Sequence, residues 1–437
     1  MKANILYIHS HDTGRYVQPY GFAVPTPNIQ KLAEDGVLFT HAFCCAPTCS
    51  ASRSALLTGQ VPHSCGQFGL VNRGFQLRDR GKHIADFLQK EGYSTVSVGI
   101  HHVVKDPISC GYTKRLETQW SDKQFADKAV EFLNSSPSQP FFLSVGFINT
   151  HRQFLNAGAS EDARYCAPPL PLPNTPEVRA DMADFKASAR VLDDYFGKVL
   201  TALKKNGLME NTIVICTTDH GISFPKMKCN LTDHGTGVML IMRGQEGFSG
   251  GRICDALISQ IDIFPTICDL IHIQKPGWLQ GKSIFPLING KVKEINDAVY
   301  SEVNFHAAYE PLRAVRTKRW KYIRRYTDYR HPIMANIDKS PSKDVLFKYG
   351  YSKHFLNNEE LYDLIFDPNE AYNLLDSPSH SKTLEEMRGH LNKWMKKTHD
   401  PLLSGPIPAP ETAILSNPQD FDPAEILMRR EKRKGYE

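Results

Sequence analysis

Cys49 and Arg53 stand four residues apart in the string Cys49-Ser50-Ala51-Ser52-Arg53-Ser54-Ala55-Leu56-Leu57-Thr58-Gly59. Ser50 and Ser52 favour a helix cap, Ala55-Leu56-Leu57 continue helically, and Gly59 ends the segment. A helix N-terminus offers unpaired N–H groups and partial positive charge, and an arginine one turn in adds a permanent cation with five donors. The spacing predicts an anion site built around a thiol. The alternative for a cysteine met alone is a small buried hydrophobe. Cys44 and Cys45 have no arginine four residues on and are weaker candidates.

Four other loops carry imidazole or carboxylate just after an apolar run: His9-Ser10-His11-Asp12, His101-His102, Asn149-Thr150-His151-Arg152 and Thr218-Asp219-His220-Gly221. His11 with Asp12, and Asp219 with His220, form two carboxylate and imidazole pairs that suit a divalent metal. Oxygen-rich sets favour calcium or magnesium, whereas imidazole moves the preference towards manganese or zinc. Taken singly, each aspartate could cap a turn and each histidine could be a surface residue.

The elements that position these loops alternate along the first two-thirds of the chain. Strands are expected at 5–8, 94–98, 141–147, 212–217 and 238–242. Helices are expected from Pro27 behind a Thr26 cap, at 83–89 closed by Gly92, and at 126–133, 177–205 and 256–271. This βαβ rhythm implies an α/β fold with a large, mostly parallel sheet covered by helices on both faces, and the four loops would share its C-terminal edge. Near Ile288-Asn289-Gly290 the texture changes to short strands at 299–303, 313–316 and 320–323, then a helix at 383–396. The reading is a catalytic α/β domain over 1–292 and a smaller α+β domain over 293–437, with an antiparallel sheet and a Pro-rich arm after Asp400.

The Cys49 string resembles the sulfatase signature, Cys-x-Pro-Ser-Arg with a Leu-Thr-Gly ending, departing from it at Ala51, where the family has proline. The resemblance implies an alkaline-phosphatase-like fold and oxidation of Cys49 to formylglycine by a maturase, the hydrate then serving as nucleophile. Asp12 falls on the second carboxylate of the family's first metal pair, with His11 in place of the first, and Asp219-His220 falls on the later pair. The implied metal set is His11, Asp12, Cys49, Asp219 and His220, around one divalent ion, calcium first and magnesium or manganese behind it. The same resemblance implies catalytic roles for Cys49, Arg53, His102, His151 and Lys228. His102 occupies the histidine of a Gly-Lys-x-His motif whose lysine is here Ile100, and His101 or Lys105 is the candidate to compensate. His151 or Lys228 would protonate the leaving atom, and His102 would take the proton that expels sulfate.

Phe224-Pro225, Glu360-Leu361-Tyr362-Asp363 with Asp367-Pro368 and Asn373-Leu374, and Trp394 with Thr398-His399-Asp400-Pro401 extend the resemblance over most of the chain. They are similar to the branch of the family that removes the N-sulfate of glucosamine. A small sulfated saccharide is the implied substrate, N-sulfated glucosamine first and an O-sulfate close behind, with His101, His306 and Arg313 as candidate sugar contacts. Glu310 is a weaker addition, and packing between domains is the competing role for His306, Glu310 and Arg313. Phosphodiester or phosphonate monoester hydrolysis on the same fold, and sulfated-glycan binding without catalysis, are the alternatives.

Composition agrees with a globular enzyme. The 437 residues are 41% hydrophobic and 23% charged, enough for a large core. A formal charge of +5 would help attract an anion and is too small to argue for nucleic acid. No stretch approaches the ~18 apolar residues of a membrane span. Met1-Lys2-Ala3-Asn4 run straight into the first strand without an apolar leader, so a cytoplasmic protein is expected. Ten irregularly spaced cysteines without a CxxC pair suggest reduced thiols. Arg429-Arg430-Glu431-Lys432-Arg433-Lys434 reads as a solvated tail.

Overall fold

The computed structural model describes residues 2–116 and 120–426, so the basic end at 429–434 lies outside the described residues. Its strands in chain order are β1 (Asn4–Ser10), β2 (Val37–Phe39), β3 (Ala42–Phe43), β4 (Ser94–Gly99), β5 (Lys114–Arg115), β6 (Phe141–Gly146) and β7 (Thr212–Thr218). They continue with β8 (Leu240–Arg243), β9 (Arg252–Cys254), β10 (Ile258–Ser259), β11 (Val299–Phe305), β12 (Tyr309–Arg316), β13 (Trp320–Arg325) and β14 (Glu359–Asp363).

Eight of these form one sheet in the order β5-β4-β6-β1-β7-β8-β2-β9, with β8 antiparallel to both neighbours and every other pairing parallel. Every residue of β1, β6 and β7 is buried, as a sheet covered on both faces requires. Alternation along the strands feeds two separate cores. Ile5, Tyr7, Ile213 and Ile215 pack with Leu56, Ile84, Leu88, Phe264 and Ile267 on one face. Leu6, Ile8, Val214 and Cys216 pack with Ile29, Phe125, Ala129, Phe196 and Val199 on the other. The second core is built by helices Pro27–Asp35, Asp122–Asn134 and Pro176–Lys205.

β11, β12, β13 and β14 form an antiparallel sheet. Helix Ser381–Lys397 covers it with Leu384, Met387, Leu391, Trp394 and Met395, a spacing of three and four residues that keeps them on one face. The same core includes Cys45, Ala55, Val61, Phe75 and Ile261, so the second sheet is packed directly onto the loops and helix end of the first.

Three local expectations change. Residues 256–271 begin with β10 and a 3-10 turn at Gln260–Asp262 before the helix Ile263–Leu270, because β10 pairs with β3. Thr26 precedes its helix without capping it; its hydroxyl accepts from Gln18 N–H at 2.8 Å instead. Ser50 and Ser52 lie inside the helix Cys49–Thr58, behind Thr48, and serve other partners. All ten cysteines are unpaired. Among the described residues no helix is long and apolar enough to cross a membrane.

Candidate active site

Because β4, β6, β1 and β7 run parallel, their C-terminal ends open on one edge, and all four predicted loops meet there. The loops after β1 and β6 are stitched together: His11 N–H donates to Asn149 O (3.1 Å) and Thr150 N–H to His11 O (2.7 Å). Gly14 N–H donates to His220 O at 2.9 Å, joining the loop after β7. Two glycines permit this density. A Cβ at Gly146 would lie 2.1 Å from Ile100 O and 2.4 Å from His9 Cε1, and one at Gly221 would lie 2.0 Å from His234 O. Asp12 (φ 52°) and His102 (φ 55°) hold left-handed backbone, which costs non-glycine residues energy and is concentrated at functional sites.

Helix Cys49–Thr58 points its N-terminus into this edge, with Cys49 as its first residue and Gly59 closing it at φ 65°. Ser52 Oγ donates to Asp219 O at 2.5 Å, and Ser50 Oγ accepts from Val71 N–H, anchoring the first turn. Cys49 Sγ lies 3.3 Å from His220 Nε2 and 3.9 Å from Asp12 Oδ1. Burial pushes the thiol well above its usual pKa, with Lys228 acting in the opposite sense. The unmodified side chain is therefore protonated at neutral pH.

The donor atoms of His11, Asp12, Cys49 and His151 form one cluster, and those of Asp12, Cys49, Asp219 and His220 a second, each within 4.8 Å. All five residues expected to hold a metal are thus brought together, and His151 joins them. His11 Nδ1 is 3.2 Å from Asp219 Oδ2 and 3.3 Å from Asp12 Oδ1, so the imidazole stands between the two carboxylates. His220 Nε2 is 3.3 Å from Asp12 Oδ1 and 3.7 Å from Asp219 Oδ2. Its Nδ1 is 2.9 Å from Gly221 O, a contact that fixes the proton there and leaves the Nε2 lone pair facing the cluster. Two converging buried carboxylates with an imidazole lone pair between them fit a divalent cation.

The charges are arranged accordingly. Burial would raise the carboxyl of Asp12, but Lys228, then His151 and His220, hold it well below the usual carboxylate range. Burial opposes Asp219 likewise, and Arg53, His220 and His11 together hold its carboxyl below the usual carboxylate range. Burial drives His11 down to about 4 and His102 well below its ordinary value, so both are neutral at pH 7. His102 packs against His11 with ring centroids 5.6 Å apart, and its buried Nδ1 has no hydrogen-bond partner among the described residues. His151 stands edge-on to His11 at 5.0 Å, with Nε2 3.9 Å from Asp12 Oδ2 and Nδ1 2.5 Å from Arg152 O. Arg152 fixes that loop by pairing with Asp181 at 2.6 Å and lying over the rings of Phe154 and Phe224.

The expected roles of five residues need correction. Arg53 is not a free cation for the substrate: its Nε (3.2 Å) and Nη2 (3.0 Å) hold Asp219 Oδ2, and Nη1 donates to His9 Nδ1 at 2.7 Å. It is buried, and it positions the Asp219 carboxylate of the candidate metal cluster. His101 turns away from the mouth, with Nε2 3.2 Å from His83 Nε2 and its ring edge-on to Tyr112. Lys105 is exposed and Ile100 sits in the core, so neither His101 nor Lys105 replaces the missing family lysine. Arg313 is fully buried; Nε (2.5 Å) and Nη2 (2.9 Å) grip Asp400, and Nη1 reaches Asn304. It braces the second sheet, and Glu310 likewise pairs with Arg325 and Asn336.

Lys228 and His306 do belong to the mouth. Lys228 Nζ lies 2.8 Å from Asp12 Oδ2 and 3.0 Å from Asp338 Oδ2, and these carboxylates, working against burial, raise its pKa. His306 enters from the loop between β11 and β12, where burial lowers it to about 3. Asp338 escaped the sequence reading, and His9 was given no role by it. His9 was visible beside His11 but carried no motif of its own, and Asp338 lies in an irregular loop whose sequence gives no signal.

This geometry and fold define a class. The sulfatase family model matches residues 3–273, and the chain belongs to the sulfatase family, a hydrolase of the alkaline-phosphatase-like fold. A second model, "N-sulphoglucosamine sulphohydrolase, C-terminal", matches residues 227–348. Human N-sulphoglucosamine sulphohydrolase is 28% identical over 442 residues, covering 88% of each chain. An ulvan-active sulfatase of Formosa agariphila is 27% identical over 466 residues, covering 91% of this chain and 76% of that protein. A protein solved in complex with its substrate D-glucosamine-2-N,6-O-disulfate superposes with a TM-score of 0.71 over 92% of this chain and 99% of the other, at 18% identity.

Proposed function

We propose that this sulfatase removes the N-sulfate of glucosamine in a small sulfated saccharide, with Cys49 matured to formylglycine and one divalent metal bound by His11, Asp12, Asp219 and His220. The observation that carries the substrate is the C-terminal match at 227–348, which spans Lys228, His306 and Asp338 at the mouth. The elevated thiol pKa supports the maturation, since an unmodified Cys49 would be a poor nucleophile at neutral pH. Formylglycine supplies a geminal diol and the metal a Lewis acid that neutralises sulfate charge.

The remaining work falls to this chain's own groups. Lys228 and the N–H groups at the start of helix Cys49–Thr58 hold the anion. Arg53 keeps Asp219 ionised and in place. His151, with Nδ1 committed to Arg152 O, presents Nε2 to the leaving atom as a proton donor, and neutral His102 receives the proton whose loss releases sulfate. Calcium remains the proposed ion. His11 between the two carboxylates is the observation that makes manganese the competing one, because nitrogen donors suit it better.

The test compares N-sulfated glucosamine, an aryl sulfate and an aryl phosphodiester as substrates, with mass spectrometry of the Cys49 peptide. We expect the peptide to have lost sulfur and gained a carbonyl, and N-sulfate to be released in preference to phosphodiester. Turnover of the phosphodiester alone, or an intact thiol in inactive protein, would overturn the reading. Metal analysis of the purified enzyme, and recovery after chelation with calcium against manganese, identifies the ion.

A further inference from the structure

A sulfate-binding mouth gains nothing from a carboxylate, yet Asp338 stands in it. Its Oδ2 is 3.0 Å from Lys228 Nζ, which also lies 2.8 Å from Asp12 Oδ2, so one ammonium is shared by two carboxylates. Lys228 is 3% exposed and Asp338 22%, so Asp338 is the more solvent-facing of the pair. The placement is built. Asn336 Oδ1 accepts from the N–H groups of Ala307 and Ala308, both at 2.9 Å, tying the Asp338 loop to the loop that carries His306. His306 feels both Lys228 and Asp338, and its buried Nδ1 has no hydrogen-bond partner among the described residues. A fixed negative charge here opposes an arriving sulfate, and like charges so juxtaposed select against a ligand unless it also brings a cation.

Cleavage of a sulfamate produces such a cation. In R–NH–SO3⁻ + H2O → R–NH3⁺ + SO4²⁻ the N–S bond breaks and water's oxygen forms the new bond to sulfur. Nitrogen keeps the bonding pair and takes up both of water's protons. An O-sulfate ester instead leaves as a neutral alcohol, with one proton released to solvent. We propose that Asp338 is a specificity-determining residue for N–S cleavage, its carboxylate receiving the ammonium that forms on the leaving nitrogen. This inference rests on the N-sulfate reading above.

The experiment measures kcat/KM of wild type and Asp338→Asn on N-sulfated glucosamine and on an aryl O-sulfate. Asp338→Asn should lose roughly tenfold to a hundredfold on the N-sulfate, the range of a lost charge-assisted contact, and stay within a few-fold on the O-sulfate. Equal losses on both substrates would reduce Asp338 to a positioning residue for Lys228, and no change would remove it from the reaction; either result overturns the proposal. A second measurement needs only the wild-type enzyme. Glucosamine should inhibit the aryl sulfatase activity more strongly than N-acetylglucosamine does, because only the former carries the ammonium; equal inhibition counts against the proposal. Wild type that cleaves O-sulfates but no N-sulfate would instead sink the substrate reading itself, so the two failures are distinguishable.

Discussion

At the scale of the residue, burial and pairing separate groups that the sequence presents alike. Arg53 reads as a cation for the substrate anion and Arg313 as a candidate sugar contact, with domain packing as its competing role, and both are consumed by a buried aspartate, Asp219 and Asp400 respectively. Removing one partner of such a pair strands the other charge, at a cost of about 3–5 kcal/mol. Arg313→Ala should therefore lower stability by that order in a denaturant titration, while kcat/KM per folded molecule stays near wild type. A selective loss of kcat/KM would restore Arg313 to the substrate. Arg53→Lys keeps a charge but loses the forked grip on Asp219 and the contact with His9, and should reduce kcat/KM by at least about tenfold. Metal content measured alongside separates loss of the ion from loss of chemistry. Neither distinction was legible beforehand, because side-chain type and spacing say nothing about which carboxylate lies across the fold.

At the scale of the element, the site depends on how closely four strand ends approach. Gly146 closes β6 against His9 and Ile100, and no side chain fits the gap. Gly146→Ala should cost about 1–3 kcal/mol by overpacking and should displace His9, and through it Arg53 and Asp219. A thermal shift with reduced activity is the expected pair of readings, and an unchanged melting temperature would contradict this packing. The strands and long helices were readable because apolar periodicity is local. β1 and β7 appear as apolar runs, and the helix expected at 177–205 is found at Pro176–Lys205. The reversed direction of β8 and the replacement of the first helical turns at 256–262 by β10 were not readable. Both follow from pairing with distant strands.

At the scale of the whole molecule, several histidines are buried neutral: His83 and His306 at about 3, His234 at about 4, each lowered first by burial. A folded pKa below the unfolded value of about 6.5 means that the unfolded chain binds more protons below that pH. Stability is then fully present above about pH 6.5 and falls as pH drops towards 4 and 3, by up to about 1.4 kcal/mol per pH unit for each such group. Denaturation midpoints between pH 7 and pH 4 should show this decline, and a flat profile would mean that these rings protonate without unfolding. The local sequence put His11, Asp12, His102, His151, Asp219 and His220 at one expected sheet edge, because apolar strands and the polar residues that follow them are properties of neighbours in the chain, and Cys49 joined them through the resemblance of its string. Folding alone settled what each charge touches. Arg53 went to Asp219 rather than to the substrate, and Asp338 arrived beside Lys228 from a loop with no motif. A buried charge takes its partner from whichever groups the packed fold shuts away from water with it, and those come from any part of the chain.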